Sequence, residues 1–165
     1  MTEVEQMFLG EHGHSLDAKG RVILPARFRD DLEGAFVTSE IDGCLALWPP
    51  DRFESRSQEM TAKWRGSRKD RDVARAFFAG AQEASPDKQG RVALPAPLRA
   101  FARLEREVSI TGAFDHVEIW DASLWQERKR LGELSLADDE SDTRREEEVD
   151  SDAAQPARKG DEGPR

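Results

Sequence analysis

The stretch 15-SLDAKGRVILPARFR-29 returns seventy residues later as 85-SPDKQGRVALPAPLR-99, identical at nine of fifteen positions. Asp17 and Asp87, Gly20 and Gly90, Arg21 and Arg91, and both Leu-Pro-Ala runs recur in register. An Asp followed three residues later by Gly is good turn chemistry. The carboxylate accepts downstream backbone N–H groups, and glycine adopts a positive φ without steric cost. A short apolar run follows, 22-VIL-24 or 92-VAL-94, and Pro25 or Pro95 ends each as a strand because proline cannot donate to a ladder.

The repetition extends outward. The segment 36-FVTSEIDGCLALWPPDRF-53 is answered by 108-VSITGAFDHVEIWDASLW-125, with Val37-Thr38 matching Ile110-Thr111 and Trp48 matching Trp120. Each unit, about 45 residues, is too small to bury a good core alone. Two strand-rich halves are therefore expected to pack on each other with pseudo-twofold symmetry, their hairpins intertwined so that few sheet edges remain. Between β segments, 26-ARFRDDLE-33 places Phe28 and Leu32 at helical spacing, and 96-APLRAFARLE-105 places Leu98 and Phe101 likewise. The stretch 70-DRDVARAFFAGA-81 carries Val73, Phe77 and Phe78 on one face with Gly80 as its stop, and predicts a connecting helix. Helix starts are expected at Pro50-Asp51 and at Asp121/Ser123.

Composition sets limits on function. The 165-residue chain has a formal net charge of −9, but from Gly132 onward it holds twelve acidic and five basic residues with no aromatic residue. That segment is expected to be a disordered acidic tail, because it cannot bury enough apolar surface to offset its ordering entropy. The remainder carries 20 Lys/Arg (25 less 5) against 22 Asp/Glu (34 less 12), so the acidic whole-chain charge does not exclude a local basic surface. The one cysteine, Cys44, excludes an internal disulfide framework and falls in the apolar run 44-CLALW-48, where a buried core position is expected. No leader-like or membrane-spanning run is present, which suits a cytoplasmic protein.

A turn needs Asp and Gly but does not need Arg directly after Gly in both copies. Arg21 could pair with Asp17 at the surface. Alternatively, Arg21 with Lys19, and Arg91 with Lys88, could grip phosphates or read guanine in a major groove. Arg27, Arg29 and Arg99, just after the strands, are candidate phosphate contacts that position without specifying.

These motifs resemble SpoVT/AbrB-type swapped-hairpin DNA-binding modules. The tandem pair, with 8-FLG-10, FFAGA and the terminal VEIWD in order, is similar to the MraZ family over roughly residues 7–130. The resemblance implies a mainly β (α+β) fold of two tandem AbrB-like β-barrel units: a first module over 7–54, a helical connector over 55–80 and a second module over 81–127; the disordered acidic tail over 132–165 lies outside the resemblance. It further implies a transcriptional regulator of the division and cell-wall gene cluster, a ring-like homo-oligomer bound to repeated boxes in double-stranded promoter DNA and associated with the nucleoid. The family's D-x-x-x-R motif falls on Asp17 to Arg21 and Asp87 to Arg91. Position 89 is Gln, and Lys88 stands one place earlier than Lys19 does, so the second turn departs from the first.

Other constellations are weaker. His12 and His14 share one face of a strand, but no carboxylate or Cys pattern completes a metal site, and exposed strand residues are expected. The run 63-KWRGSRKDR-71 is either an extra nucleic-acid contact or a solvated linker. No catalytic triad, phosphate loop or catalytic zinc motif appears, so neither an enzyme, a cofactor nor a small-molecule substrate is expected. The acidic tail leaves one rival reading, an antitoxin-like interaction protein whose tail binds a protein partner.

Overall fold

In the computed structural model, which describes residues 7–153 and side chains as far as residue 138, the two repeats exchange strands. The first contributes β1 (Glu11–Ser15), β2 (Arg21–Ile23), β3 (Phe36–Ser39) and β4 (Leu45–Trp48). The second contributes β5 (Gln82–Glu83), β6 (Arg91–Ala93), β7 (Glu107–Gly112) and β8 (Val117–Asp121). Six of them make an antiparallel sheet in the order β1-β7-β8-β4-β3-β5, and the other two make the ribbon β2-β6. Exchanging each strand for its repeat partner reverses that order onto itself. A pseudo-twofold axis therefore passes between β4 and β8, where Ala46 faces Glu118, and through the ribbon, where Val22 faces Val92. The expected intertwining is present. The pairing is that of one six-stranded sheet and one two-stranded ribbon shared by both repeats.

The swap follows from burial. Each repeat supplies half of one core: Val22, Leu24, Phe28, Val37 and Leu47 meet Val92, Leu94, Leu98, Ile110 and Ile119, all buried. Neither half could shield these side chains alone. Along the ribbon the pattern alternates with the strand period, Val22 and Val92 pointing inward and Ile23 standing 47% exposed. Backbone bonds tie the crossing, with Leu24 N–H donating to Gly90 O at 2.9 Å and Leu94 N–H to Gly20 O at 3.0 Å.

Short helices follow the ribbon strands: α1 (Ala26–Arg29), extended by a 3-10 turn to Leu32, and α4 (Ala96–Phe101). Phe28, Leu32 and Leu98 are buried as expected, but Phe101 is not, at 48% exposed. Its place in the core is taken by Ala102, four residues after Leu98 as Leu32 is four after Phe28. A spacing of three and one of four both fit a helical face, and the repeat alignment decides between them. Two longer helices, α2 (Pro50–Ala62) and α3 (Arg68–Gly80), form the connector, with Ala74 and Phe77 the buried residues of α3. Ser67 and Asp70 form a reciprocal capping box at its start.

The last helix, α5 (Ala122–Ala153), starts where Asp121 Oδ2 accepts from Leu124 N–H at 3.1 Å. Helix is described through 132–153 of the segment for which a disordered acidic tail is expected; residues 154–165 lie outside the described residues. Leu, Glu, Arg and Ala are good helix formers, and Arg130–Glu127 and Lys129–Glu133 pairs along the helix surface support them without a core. The chain up to Trp125 and the chain from Gln126 form two separate compact units.

The repeats differ at one hairpin. His116, between β7 and β8, stacks on Trp48 of the first repeat with ring centroids 4.1 Å apart. Its Nδ1 lies 2.6 Å from Asp115 Oδ1 and its Nε2 3.1 Å from Glu118 Oε2. Burial opposes charging of His116, but hydrogen bonds that its ring donates to the Glu118 and Asp115 carboxylates, together with their charges, outweigh it, raising the pKa. A raised folded pKa stabilises the fold fully below the unfolded pKa and loses that contribution as pH rises through the folded value. The melting temperature is accordingly expected to fall above about pH 6.5, and thermal melts from neutral to mildly alkaline pH should show this decline flattened in His116→Gln.

Candidate nucleic-acid interface

The two turns that enter the ribbon are near-replicas. In the first, Asp17 Oδ1 accepts from Lys19 N–H at 2.9 Å and from Arg21 N–H at 2.8 Å, while Arg21 Nε donates to Oδ2 at 2.6 Å. In the second, Asp87 Oδ1 accepts from Gln89 N–H and Arg91 N–H, both at 2.9 Å, and Arg91 Nε donates to Oδ2 at 2.8 Å. Gly20 and Gly90 take φ of +74° and +79°. Backbone N–H bonds from Arg21 and Arg91 are the main reason that Asp17 and Asp87 are more acidic than usual; burial opposes this, and the guanidinium bonds and the backbone N–H of Lys19 or Gln89 add to it. Both carboxylates thus stay ionised and hold their arginines across the neutral range.

The surface pairing of Arg21 with Asp17 is therefore real, and it does not compete with an outward role. It uses Nε and leaves the two Nη groups of each fork to reach beyond the turn. Across the ribbon Arg21 faces Ala93 and Arg91 faces Ile23, so both arginines stand on the outer face as a diagonal pair. Ile23, exposed between them, belongs to the same face. The apolar run 22-VIL-24 reads in sequence only as a short strand, although strand alternation around buried Val22 points Ile23 outward.

The remaining candidates fall into two groups. Lys19 and Lys88 are exposed beside their turns. Gln89 takes the structural place of Lys19, as the backbone bonds show. Arg29 and Arg99 are only half-exposed, and each reaches across to the other repeat. A Cβ on Gly20 would meet Arg99 Nη1, and one on Gly90 would meet Arg29 Nε, so the two glycines are needed for close approach as well as for φ. Arg29 Nε also donates to Leu24 O at 3.0 Å. Arg27 is exposed, but its Nη2 donates to Leu9 O and lies 3.0 Å from His12 Nε2. No sequence signal announces the Arg–Gly crossing, because its two members sit about seventy residues apart in different repeats.

His12 and His14 lie half-buried on β1 rather than exposed, and His12 packs edge-on against Phe28 at 5.6 Å. No group of three or more potential metal ligands occurs among the described residues. Cys44 is fully buried, as expected, and burial together with nearby Glu118, Glu40 and Asp42 pushes its thiol pKa far up. No helix among the described residues is long and apolar enough to cross a membrane.

Comparison with known proteins places this geometry in context. The family model described as "MraZ protein, putative antitoxin-like" matches twice, over residues 7–75 and 77–146. A protein of a Nocardioides species named transcriptional regulator MraZ is 48% identical over 132 residues, 79% of this chain and 92% of its own. Proteins of the same name from Cutibacterium acnes and Frankia alni are 43% and 44% identical over 133 residues, covering 80% of this chain and 94% and 93% of theirs.

Proposed function

The chain belongs to the MraZ family, and from that premise we infer that it is a transcriptional regulator whose β2-β6 ribbon reads double-stranded promoter DNA. The observation that carries this reading is the duplicated Asp-x-x-Gly-Arg turn. Two forks, each oriented by its own carboxylate, stand diagonally on one two-stranded ribbon. A B-form major groove, roughly 12 Å wide, admits such a ribbon, and guanine O6 and N7 accept both N–H groups of an arginine fork. Arg21 and Arg91 carry the base or phosphate recognition, with Ile23 available to a thymine methyl group between them. Lys19 and Lys88 contact phosphates. Arg29 and Arg99 contribute by holding the turn of the opposite repeat, and Arg27 by fastening the start of β1, rather than by long outward reach.

The DNA target follows from the family resemblance: repeated boxes upstream of the division and cell-wall gene cluster, this protein's own gene included. Self-association into a ring multiplies the ribbons, and repeated boxes are then favoured over single ones through effective concentration. Regulation is by occupancy rather than catalysis, in the cytoplasm and on the nucleoid.

The test is a titration of the full chain on a duplex from upstream of its own gene and on a scrambled duplex, at several salt concentrations. Preference for the upstream duplex is expected. A steep fall of affinity with salt should accompany it, log K falling by about 0.9 per phosphate contact per log unit of salt. Equal binding to both duplexes, or affinity indifferent to salt, would refute the reading.

A further inference from the structure

The corner between α2 and α3 takes no part in the ribbon, yet 63-KWRGSRKDR-71 carries five Lys or Arg residues in nine. It is a built corner rather than a slack linker. Gly66 N–H donates to Lys63 O at 3.1 Å, Arg71 Nη1 donates to Gly66 O at 2.8 Å, and the Ser67–Asp70 box caps α3.

Its nearby carboxylates are already engaged. Asp70 accepts from Ser67 N–H and Oγ, both at 3.0 Å, and lies 3.8 Å from Lys63 Nζ. Asp72 Oδ1 accepts from Arg75 Nη1 at 2.9 Å. Arg65, Arg68 and Lys69 are exposed and make no ion-pair contact among the described residues, although the charge of Lys69 acts on neighbouring Asp70. Beside them Trp64 stands 40% exposed, with the Arg75 guanidinium 5.3 Å from its ring centre.

We propose that this corner is a second nucleic-acid contact, gripping the phosphate backbone of duplex DNA outside the bases met by the ribbon. The proposal rests on the DNA reading above. Three exposed cations on an ordered corner, with no acceptor pattern to select a shaped ligand, suit a repeating polyanion. The order of the corner matters too, because cations presented on capped backbone lose little freedom on binding. The same cations could meet an acidic protein segment, and the experiment separates the two.

The variant Arg65→Gln/Arg68→Gln/Lys69→Gln, made in the full chain, is titrated on the upstream and scrambled duplexes over a range of salt. Its circular dichroism and melting should match wild type. Affinity should fall by the same factor on both duplexes, by up to about tenfold for each phosphate no longer gripped near 0.1 M salt, and the salt slope should drop by about two to three. Arg65→Lys/Arg68→Lys, which keeps the charges, should keep the wild-type slope. Unchanged affinity and slope in the triple variant, with wild type binding normally, would overturn the proposal. So would a loss confined to the upstream duplex, which would assign the corner to base reading, whereas unchanged duplex affinity is what a corner serving an acidic protein segment would give. A wild-type chain that binds neither duplex would overturn the DNA reading itself, and that outcome is visible before any variant is compared.

Discussion

Alanine at both Arg21 and Arg91 is expected to lower affinity for the upstream duplex by about thirtyfold to twenty-thousandfold, at about 1–3 kcal/mol for each fork that meets a base. The fold should survive. Both side chains lie on the outer face of the ribbon, and each Asp still accepts two backbone N–H groups once the guanidinium is gone. Anisotropy titrations paired with thermal melts check both halves of this expectation. Lysine at the same two positions should be informative in another way. It keeps the charge but loses the planar fork and the Nε bond to the carboxylate, so preference for the upstream duplex should fall further than affinity for the scrambled one.

The glycine pair should give the second large effect, in stability first and binding with it. At Gly20 and Gly90 a side chain is opposed twice over. A left-handed φ costs an L residue about 1–2 kcal/mol, and the new Cβ would land on the guanidinium that the other repeat lays across the turn. Gly20→Ala/Gly90→Ala is therefore expected to lose about 2–4 kcal/mol from the two φ penalties alone, or roughly 5–15 °C of melting temperature. Removing the obstructing side chain tests the second half of that cost. Gly20→Ala in an Arg99→Ala background should cost less than the two single changes added together, because the collision is gone and only the φ penalty remains. Strict additivity would show that the arginine yields freely and that the close approach has no energetic weight.

How much of this is legible in the sequence depends on whether partners lie within one repeat or across two. The Asp17–Arg21 and Asp87–Arg91 turns, the strand-ending prolines and the cap at Asp121 are local, and residue type at short spacing is enough to read them. The capping box at Ser67 and Asp70 is equally local, a Ser followed three residues later by an acid, but the basic run around it masks the signal. The Arg29–Gly90 and Arg99–Gly20 crossings are not local. Their residue type suggests phosphate contact, and only the pairing of β2 with β6 reveals that each arginine packs on the other repeat's turn. Phe101 misleads for a related reason: its size and spacing fit a buried face, whereas the repeat places small Ala102 where Leu32 stands. In the final helix the charged composition predicts no core of its own, and the helix as described runs to Ala153.

The central claim is that the two turns are halves of one reading surface on a single duplex. A double-mutant cycle measures this most directly. Arg21→Ala, Arg91→Ala and the double variant are each titrated by fluorescence anisotropy on a duplex carrying one binding box, at fixed salt. One shared surface predicts that each single change weakens binding by about tenfold or more, and that the double variant is weaker than either. A single variant that binds as tightly as wild type would contradict the account, because one of the two turns would then stand away from the DNA.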